Sequence, residues 1–321
     1  MRVLSRDSAF IRQRPWLMKP ARMGWRMAKT GWGWAGWGWA MTRGMTWEAR
    51  RHLRGYLDLG AQGSAGRVAG PSVLSRYMRN YFFQTDGWFH EVSAALWDCL
   101  LAFQSHMHLR GNLLEIGVWK GRSAILQAMH AAADEQLVLV DISIQETMRR
   151  TIDGIKPSAV QYLQMRSSDL PTTQLYREGS RSYRWVHIDG EHTGTALTID
   201  LDIANHLLDA EGIVAIDDFM LPVYPQVTRM TFDYLSQHEN DLHMFICGIN
   251  KAYLCRPEMA PTYLSFVKES LYAEMRSRGY GNITICKTAH PNDMNCFGIC
   301  PYRQDGLDYR GPDGDRQSIR I

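Results

Sequence analysis

The stretch Leu113-Leu-Glu115-Ile-Gly117-Val-Trp-Lys-Gly121-Arg-Ser123 decides the fold of this 321-residue chain. An apolar run ends in an acidic residue and then meets two glycines, which is the pattern of a buried strand that turns into a helix. Glycine allows a tight turn, and the N-terminus of a helix attracts negatively charged groups. The stretch therefore predicts a strand, turn and helix that bind a nucleotide-type cofactor.

Strand and helix signals alternate over the rest of the central sequence. Apolar runs predict strands near 112–117, 136–141, 159–165, 184–189 and 212–217. Helical patterns lie near 121–133, 144–154, 193–209 and 223–239. Such alternation is typical of a parallel sheet with helices on both faces, and the runs at 242–247 and 252–255 predict a terminal hairpin. We expect an α/β, Rossmann-like, doubly wound sheet of seven strands, mostly parallel, with one antiparallel strand from the hairpin.

Composition divides the chain into segments. Residues 1–70 hold thirteen Lys or Arg against three acidic residues, and Gly31-Trp-Gly-Trp-Ala35 is repeated at 36–40. Glycine raises the entropic cost of ordering such a segment. The expected organisation is a disordered basic head at 1–70, a helical cap at 71–110, a cofactor-binding core at 111–257, a helical extension at 258–303 and a loose tail at 304–321.

The head is also the one candidate contact for nucleic acid, since cations hold phosphates while indoles stack on bases. An accessory segment explains the same composition, and we expect no nucleic-acid partner for the rest of the chain. The sequence shows no apolar run long enough to span a membrane and no cleavable signal. Its six cysteines form no CxxC pair, which favours reduced thiols over a zinc site. We expect a cytoplasmic protein.

The identity of the cofactor follows from what the glycine turn lacks. A dinucleotide site needs GxGxxG, but Trp119 stands where the second glycine belongs, and no phosphate-binding loop is present. S-adenosylmethionine has no phosphate and offers a ribose diol, which a carboxylate such as Asp141 at a strand end suits. An acid such as Asp169 suits its adenine amino group. The predicted cofactor-binding residues are Glu115, Gly117, Gly121, Ser123, Asp141, Asp169 and Asp189.

These residues resemble the class I S-adenosylmethionine-dependent methyltransferases, and among them the group of macrocin O-methyltransferase and the cephalosporin hydroxylase-like proteins. The resemblance covers roughly 87–257. Its marks are Gly87-Trp-Phe, Glu115-Ile-Gly117-Val-Trp-Lys-Gly121-Arg-Ser123, Asp189-Gly-x-His192 with Asp200 on the next helix, and Gly212-Ile-Val-Ala-Ile-Asp217-Asp218-Phe219.

The resemblance implies that Asp189, Asp217 and Asp218 hold a divalent metal ion, usually magnesium, and that His192 is a candidate base. Carboxylates are the hard oxygen donors that Mg²⁺ prefers, and histidine accepts a proton readily near neutral pH. His192 and Asp189 are therefore the predicted catalytic residues, with His192 placed in the first turn of the next helix. Each of these residues also has a plain structural explanation, as a helix cap, a turn or a buried hydrogen-bonding group.

We expect an O-methyltransferase that acts on a hydroxyl of a small molecule, such as a sugar, glycoside or natural product. A metal-independent N-methyltransferase and a non-catalytic S-adenosylmethionine-binding module stay open as alternatives. Helices before Gly111 leave room for a homodimer. The acceptor pocket is expected to form from residues 77–89 and 220–227. Tyr224 and the aromatic residues Tyr81, Phe82, Phe83 and Trp88 either line this pocket or lie in the core, and we expect most of them to lie in the core.

Overall fold

The computed structural model describes residues 72–287 and 294–300, together with the backbone of the short strand Ile319–Arg320. These residues belong to the larger of two units, Gln62–Ile321. The predicted disordered head, and the predicted tail apart from Ile319–Arg320, lie outside the described residues. Of the described helices, none has the length and apolar character needed to cross a bilayer.

Helices and strands alternate as the sequence pattern predicts. The helices are α1 (Leu74–Asn80), α2 (Glu91–His106), α3 (Arg122–His130), α4 (Glu146–Ile155), α5 (Gln174–Glu178), α6 (Gly194–Leu207), α7 (Pro225–Gln237), α8 (Ala260–Phe266) and α9 (Tyr272–Ser277). The strands are β1 (Asn112–Ile116), β2 (Leu137–Asp141), β3 (Val160–Gln164), β4 (Tyr183–Ile188), β5 (Leu208–Asp217), β6 (His243–Gly248), β7 (Lys251–Cys255), β8 (Thr284–Lys287), β9 (Phe297–Cys300) and β10 (Ile319–Arg320).

All ten of these strands form one sheet, in the order β10-β8-β9-β6-β7-β5-β4-β1-β2-β3. Strands β1 to β5 are parallel, and β7 joins β5 antiparallel, as the predicted hairpin requires. The strand order reverses between β1 and β4, and ligands of open α/β sheets bind at such a point. The Rossmann-like α/β architecture is confirmed.

The prediction of seven strands is wrong, because the sheet continues beyond the hairpin. Strand β9 pairs with β6, and β8 and β10 follow it outward. For the same reason residues 258–303 are not the wholly helical extension that we predicted. Both β8 and β9 have only four residues, so neither shows a periodicity that sequence alone reveals.

Helix α2 is a core element and not a peripheral cap. It is buried along most of its length, between the sheet and the helices that follow β7. On the sheet side, the Trp97 ring meets Trp185 of β4 edge-on, with centroids 4.9 Å apart. On the other side, Phe103 stacks on Phe266 of α8 at 4.1 Å. Apolar side chains on both sides of α2 explain why its sequence is hydrophobic nearly all round.

The buried carboxylate of Asp98 connects α2 to α3 on one side and to the residue after α9 on the other. Asp98 lies 2.9 Å from Nε2 of His130 on α3 and accepts a 2.6 Å hydrogen bond from Nε of Arg278, just after α9. Burial raises the pKa of Asp98, but the hydrogen bond and charge of His130 and the Arg278 guanidinium outweigh it, so the pKa lies well below 3.8. The charged carboxylate is thus part of the folded structure.

Replacing Asp98 with asparagine should destabilise the fold in a pH-dependent way. Since the pKa of Asp98 is depressed in the folded state, its contribution is present above about pH 4 and is lost as the pH falls further. We expect Asp98→Asn to lower the free energy of unfolding by about 3–5 kcal/mol at pH 7, measured by urea unfolding. Asp86→Asn, which breaks an exposed ion pair with Lys120, is the control and should leave the urea midpoint unchanged. Equal midpoints for the two variants would contradict the assignment.

Candidate functional site

A cavity of about 1100 Å³ opens where the parallel strands end. Its walls are the segments that follow β1, β2, β3, β4 and β5, with residues 86–89 closing one side. Eight of the predicted site residues line it: Gly117, Gly121, Ser123, Asp141, Asp189, His192, Asp217 and Asp218. The other two, Glu115 and Asp169, belong to the described part of the chain but stand outside this lining.

The glycine turn after β1 is built on close contact between two strand ends. Gly117 has a φ of +83°, which favours glycine, and a Cβ there would lie 1.8 Å from the carbonyl oxygen of Asp189. The Asp189 amide donates to the Ile116 carbonyl at 2.8 Å, so this approach is fixed by the sheet itself. Only glycine fits at position 117.

Asp141 at the end of β2 holds the same turn in place. Its Oδ2 accepts hydrogen bonds from the amides of Val118 at 2.7 Å and Trp119 at 2.8 Å. Its Oδ1 accepts from the Ser143 amide at 2.9 Å. Each carboxylate oxygen has two lone pairs, so Asp141 retains capacity for a ligand hydroxyl on the cavity side.

Glu115 is fully buried behind the turn, not exposed in the cavity. Its two oxygens accept 2.5 Å hydrogen bonds from the hydroxyl of Ser123 and the amide of Gln127, both on α3. The carboxylate therefore joins β1 to the first turn of α3. Ser123, which does line the cavity, is oriented by this bond.

Glu115 also begins a row of four buried charges of alternating sign, which we call the buried ionic row: Glu115, His187, Asp217 and Lys251. His187 Nδ1 lies 3.1 Å from Glu115 Oε1, and its Nε2 lies 3.6 Å from Asp217 Oδ2. Lys251 donates to Asp217 from the adjacent strand β7, where the two residues are direct partners. The Lys251 ammonium also lies over the Phe89 ring, 5.4 Å from its centroid.

The pKa shifts of His187 and Asp217 favour the charged form of each residue. Burial lowers the pKa of His187, but Asp217 and Glu115 more than compensate and raise it to about 9. Burial raises the pKa of Asp217, but the Lys251 charge and His187 depress it well below 3.8. His187 is thus a packed partner of the site acids, in edge contact with Trp97 at 4.6 Å.

Three further side chains form a cluster on the cavity side of the row. His192 Nε2 lies 3.1 Å from Asp218 Oδ2, and ligand atoms of Asp189, His192 and Asp218 all lie within 4.8 Å of one another. A second set, His187, Asp189 and Asp217, meets the same limit. Burial and the Asp217 charge raise the pKa of Asp189 well above 3.8.

The donor set fits a hard divalent cation. Asp189 belongs to both sets, with Asp217 in one and Asp218 in the other, so each set holds two carboxylates, which repel each other unless a positive charge intervenes. Lys251 provides one such charge, but it lies on the Asp217 side. Asp218 is held at a φ of +57° and accepts a 2.8 Å hydrogen bond from the Asn250 amide, which fixes its Oδ1.

His192 lies before α6 and not in its first turn, since Thr193 is the N-cap of that helix. Its ring contacts Tyr224 with centroids 4.3 Å apart. Its carbonyl oxygen accepts a 2.5 Å hydrogen bond from Gln226 of α7. The imidazole is therefore held against the cavity wall by α7 and by Asp218.

Asp169 is exposed on the turn after β3, while its neighbours Ser167 and Ser168 line the cavity. Asp200 on α6 is buried behind Gly190 and lies outside the lining. Neither of its carboxylate oxygens has a hydrogen-bond partner among the described residues. Burial raises the pKa of Asp200 to about 6, although the nearby Ser167 hydroxyl opposes the shift.

Sequence analysis missed Lys251 and the stacking of Trp119 on Trp88. For Lys251, the signal available in the sequence was a lysine at the start of an otherwise apolar strand. Its pairing with Asp217 becomes visible only when β5 and β7 are known to be neighbours. The expectation of core positions is wrong for Trp88, which is 88% exposed, and for Phe83, which is 71% exposed. It holds for Phe82, which is buried.

Residues 114–219 match the sequence model of a family described as a methyltransferase domain. No curated protein matches the chain at a significant level. The match spans the strands from β1 to β5 and the cavity residues between them, including the glycine turn and the carboxylates at the ends of β4 and β5.

Solved structures with a similar fold include three methyltransferases. The O-methyltransferase NovP is 16% identical, with a TM-score of 0.43, over 51% of this chain and 78% of its own. CalS11, a TDP-rhamnose 3'-O-methyltransferase of calicheamicin biosynthesis, is 14% identical, with a TM-score of 0.44, over 64% and 93%. MycE of the mycinamycin pathway, solved with Mg and SAH, is 16% identical, with a TM-score of 0.41, over 58% and 55%.

Replacing Asp200 with asparagine should stabilise the protein at alkaline but not at acidic pH. Its folded pKa of about 6 exceeds the ordinary 3.8, so ionisation costs folded-state stability above pH 6 and nothing below about pH 4. We expect the free energy of unfolding of Asp200→Asn to exceed that of the unmodified protein by about 2–3 kcal/mol at pH 8 and to equal it at pH 4, in urea titrations.

Asp202→Asn is the matched control, because Asp202 is exposed on the same helix and accepts a 3.0 Å hydrogen bond from Tyr234. Its effect should be the same at both pH values. A pH-independent effect of Asp200→Asn would show that the buried carboxylate is not the cause.

Proposed function

We propose that the chain is an S-adenosylmethionine-dependent methyltransferase, and more narrowly a magnesium-dependent O-methyltransferase acting on a hydroxyl of a small molecule such as a sugar, glycoside or natural product; the match of residues 114–219 to a methyltransferase domain supports it. One observation carries this proposal: Asp189, His192 and Asp218 converge in the same cavity as the glycine turn. A methyl donor on the turn and an acceptor oxygen at the acids then share one space.

The cofactor side of the cavity is the part bounded by β1 and β2. In this proposal Gly117 and Gly121 bring backbone close to the cofactor, and Asp141 accepts from the ribose hydroxyls. Ser123 faces the same side, and Glu115 is a positioning residue that acts through its 2.5 Å hydrogen bond with Ser123. Asp169 lies outside the lining, so the neighbouring Ser167 and Ser168 are the better placed for the adenine end.

The acceptor side is the part bounded by β4 and β5. The acceptor oxygen attacks the methyl carbon in line, so a C–O bond forms as the C–S bond breaks and the sulfur keeps the electron pair. The hydroxyl proton passes to His192, whose Nε2 is held 3.1 Å from Asp218. Asp189 is the alternative acceptor of that proton.

Asp189, Asp217 and Asp218 are the residues that would hold magnesium. When bound, the ion supplies charge stabilisation and makes the acceptor hydroxyl easier to deprotonate. Asp217 already pairs with Lys251 through Oδ2, so Asp218 and Asp189 offer the freer oxygens.

The ion pair between Lys251 and Asp217 favours a second candidate function, that of a metal-independent methyltransferase, including one that acts on an amine. Lys251 is buried, at 2% exposure, and its amine pairs with Asp217 beside the other site acids. The positive charge of this ion pair partly relieves the repulsion among the carboxylates without any metal ion.

Transfer of a labelled methyl group separates these candidates. We expect the full chain to transfer label from S-adenosylmethionine to hydroxylated acceptors in a screen of sugars, glycosides and catechols. Chelation with EDTA should abolish the transfer, and added Mg²⁺ should restore it. Transfer to an amine that is insensitive to EDTA would favour the metal-independent candidate, and binding of S-adenosylhomocysteine without transfer to any acceptor would favour a non-catalytic module.

Calorimetry with Mg²⁺ and Mn²⁺ supplies the matching binding measurement. Asp218→Asn should abolish the binding heat, since Asp218 has no lysine partner. Asp86 lies at the cavity mouth, so Asp86→Asn is the control and should leave the binding heat unchanged. Equal heats for Asp189→Asn, Asp217→Asn, Asp218→Asn and the unmodified protein would remove the metal site from the proposal.

Replacing His192 with glutamine should lower kcat by roughly 10²- to 10⁴-fold, because a positioned general base contributes about that much. The KM for S-adenosylmethionine should change little, since His192 lies on the acceptor side. His206→Gln is the control: His206 stacks on Tyr176 at 4.2 Å, away from the cavity, and its loss should leave kcat unchanged. A His192→Gln enzyme with normal kcat would leave Asp189 as the base.

A further inference from the structure

An aromatic platform stands at the mouth of the cavity. The rings of Trp88 and Trp119 stack with their centroids 4.5 Å apart and their planes at 8°. Both residues line the cavity, and Trp88 is 88% exposed. A large indole so exposed, beside further exposed apolar residues of the cavity rim such as Ile142 and Val223, is typical of a binding surface rather than of a plain protein exterior.

The platform is built on a fixed base. Arg122, the first residue of α3, donates from Nε to the Thr85 carbonyl at 2.6 Å and from Nη1 to the Gly87 carbonyl at 2.5 Å. The backbone amide of Trp119 is held by Asp141 at 2.8 Å. Both indoles thus project from backbone that hydrogen bonds anchor on each side, and little ordering is needed when a ligand arrives.

Stacking covers the inner faces of the two rings, since at 4.5 Å no third ring fits between the indoles. The Lys120 ammonium also lies over the Trp119 ring at 4.9 Å and pairs with Asp86 at 2.6 Å. Trp88 is 88% exposed and Trp119 is 40% exposed, so the outer face of Trp88 is the larger open ring surface.

The platform adjoins the buried ionic row and shares a cavity with the cavity-side acids. Phe89, the residue after Trp88, is buried, and its ring lies 5.4 Å from the ammonium of Lys251, which pairs with Asp217. Trp88 lines the same cavity as Asp189 and Asp218, so one ligand is able to contact both regions.

The volume of the cavity favours a site that holds an acceptor together with the cofactor. A drug-sized ligand occupies a pocket of roughly 300–1,000 Å³, and this cavity of about 1100 Å³ exceeds that range. The cofactor therefore leaves room for a bulky acceptor.

We infer that the outer face of Trp88 binds a neutral ring of the acceptor, remote from the hydroxyl that is methylated, so that the enzyme selects acceptors with at least two rings. The inference rests on the proposed function, whose acceptor site it extends. The ring is either the apolar face of a sugar or an aromatic group, because both present a flat, uncharged surface to an indole. Trp88 is a specificity-determining residue in this assignment, and Trp119 supports it from behind.

Three probes that have a glucose ring in common test this inference. Methyl β-D-glucoside has one ring, phenyl β-D-glucoside adds an aromatic ring, and methyl β-maltoside adds a sugar ring. Binding to the protein saturated with S-adenosylhomocysteine is measured by calorimetry, and methyl transfer is measured in parallel. We expect at least one two-ring probe to bind more tightly than the one-ring probe, and the better of the two identifies the kind of ring.

Trp88→Ala should weaken binding of the preferred two-ring probe by about three- to tenfold, the size of one aromatic contact, and raise its KM equally. The one-ring probe and S-adenosylhomocysteine should bind as before, and Trp88→Phe should restore most of the loss. Phe83→Ala is the matched control, since Phe83 is 71% exposed and packs edge-on against Phe82 at 5.1 Å, outside the cavity lining.

Several outcomes would overturn the inference. Unchanged two-ring binding in Trp88→Ala, an equal loss in Phe83→Ala, or failure of both two-ring probes to bind would each do so. Weaker S-adenosylhomocysteine binding with unchanged acceptor binding would assign the platform to the cofactor. By contrast, two-ring binding that depends on Trp88, without methyl transfer to any hydroxyl, would contradict the proposed function and leave the platform intact.

Discussion

Four charged side chains of alternating sign stand on neighbouring strands, three of them buried and the fourth, Asp217, 13% exposed where it lines the cavity. Glu115, His187, Asp217 and Lys251 belong to β1, β4, β5 and β7, and each of them is buried or nearly so. Burying a single charge without a partner costs several kcal/mol, whereas each member of this row meets an opposite charge. Removing His187 leaves Glu115 without its charged partner, and removing Asp217 leaves Lys251 without its own, so the row links all four strands.

This constraint divides the site acids into two kinds. Asp217 lies within the row, where Lys251 and His187 hold it charged and in place. Asp189 and Asp218 lie on the cavity side, where His192 is their neighbour. Adjacent residues at one strand end thus have different surroundings, since Asp217 pairs with Lys251 while Asp218, at a φ of +57°, lies beside His192.

The sequence predicts the parallel half of this molecule well because each of its elements has a local signal. Apolar runs predict β1 to β5. The acidic residues at the ends of these runs lie at one edge of the sheet, because the strands are parallel. The residues that were missed depend on contacts between distant segments. The role of Lys251 depends on its ion pair with Asp217, which is 34 residues away in the sequence. The burial of Glu115 against Ser123 depends on the packing of α3 over β1. Strands β8 and β9 are too short for any periodic pattern.

The two sides of the cavity are mechanically linked where Gly117 meets Asp189. A Cβ at 117 would overlap the Asp189 carbonyl, so the turn that faces the cofactor and the strand end that faces the acceptor rest on the same backbone contact. Asp141 fixes the other end of that turn through Trp119, which in turn supports Trp88. In the proposed reaction, one short segment, 117–121, therefore sets the positions of the methyl donor, the acceptor hydroxyl and the aromatic platform. A shift of that segment would displace all three together, which is why its glycines, its capping carboxylate and the tryptophan between them form one functional unit.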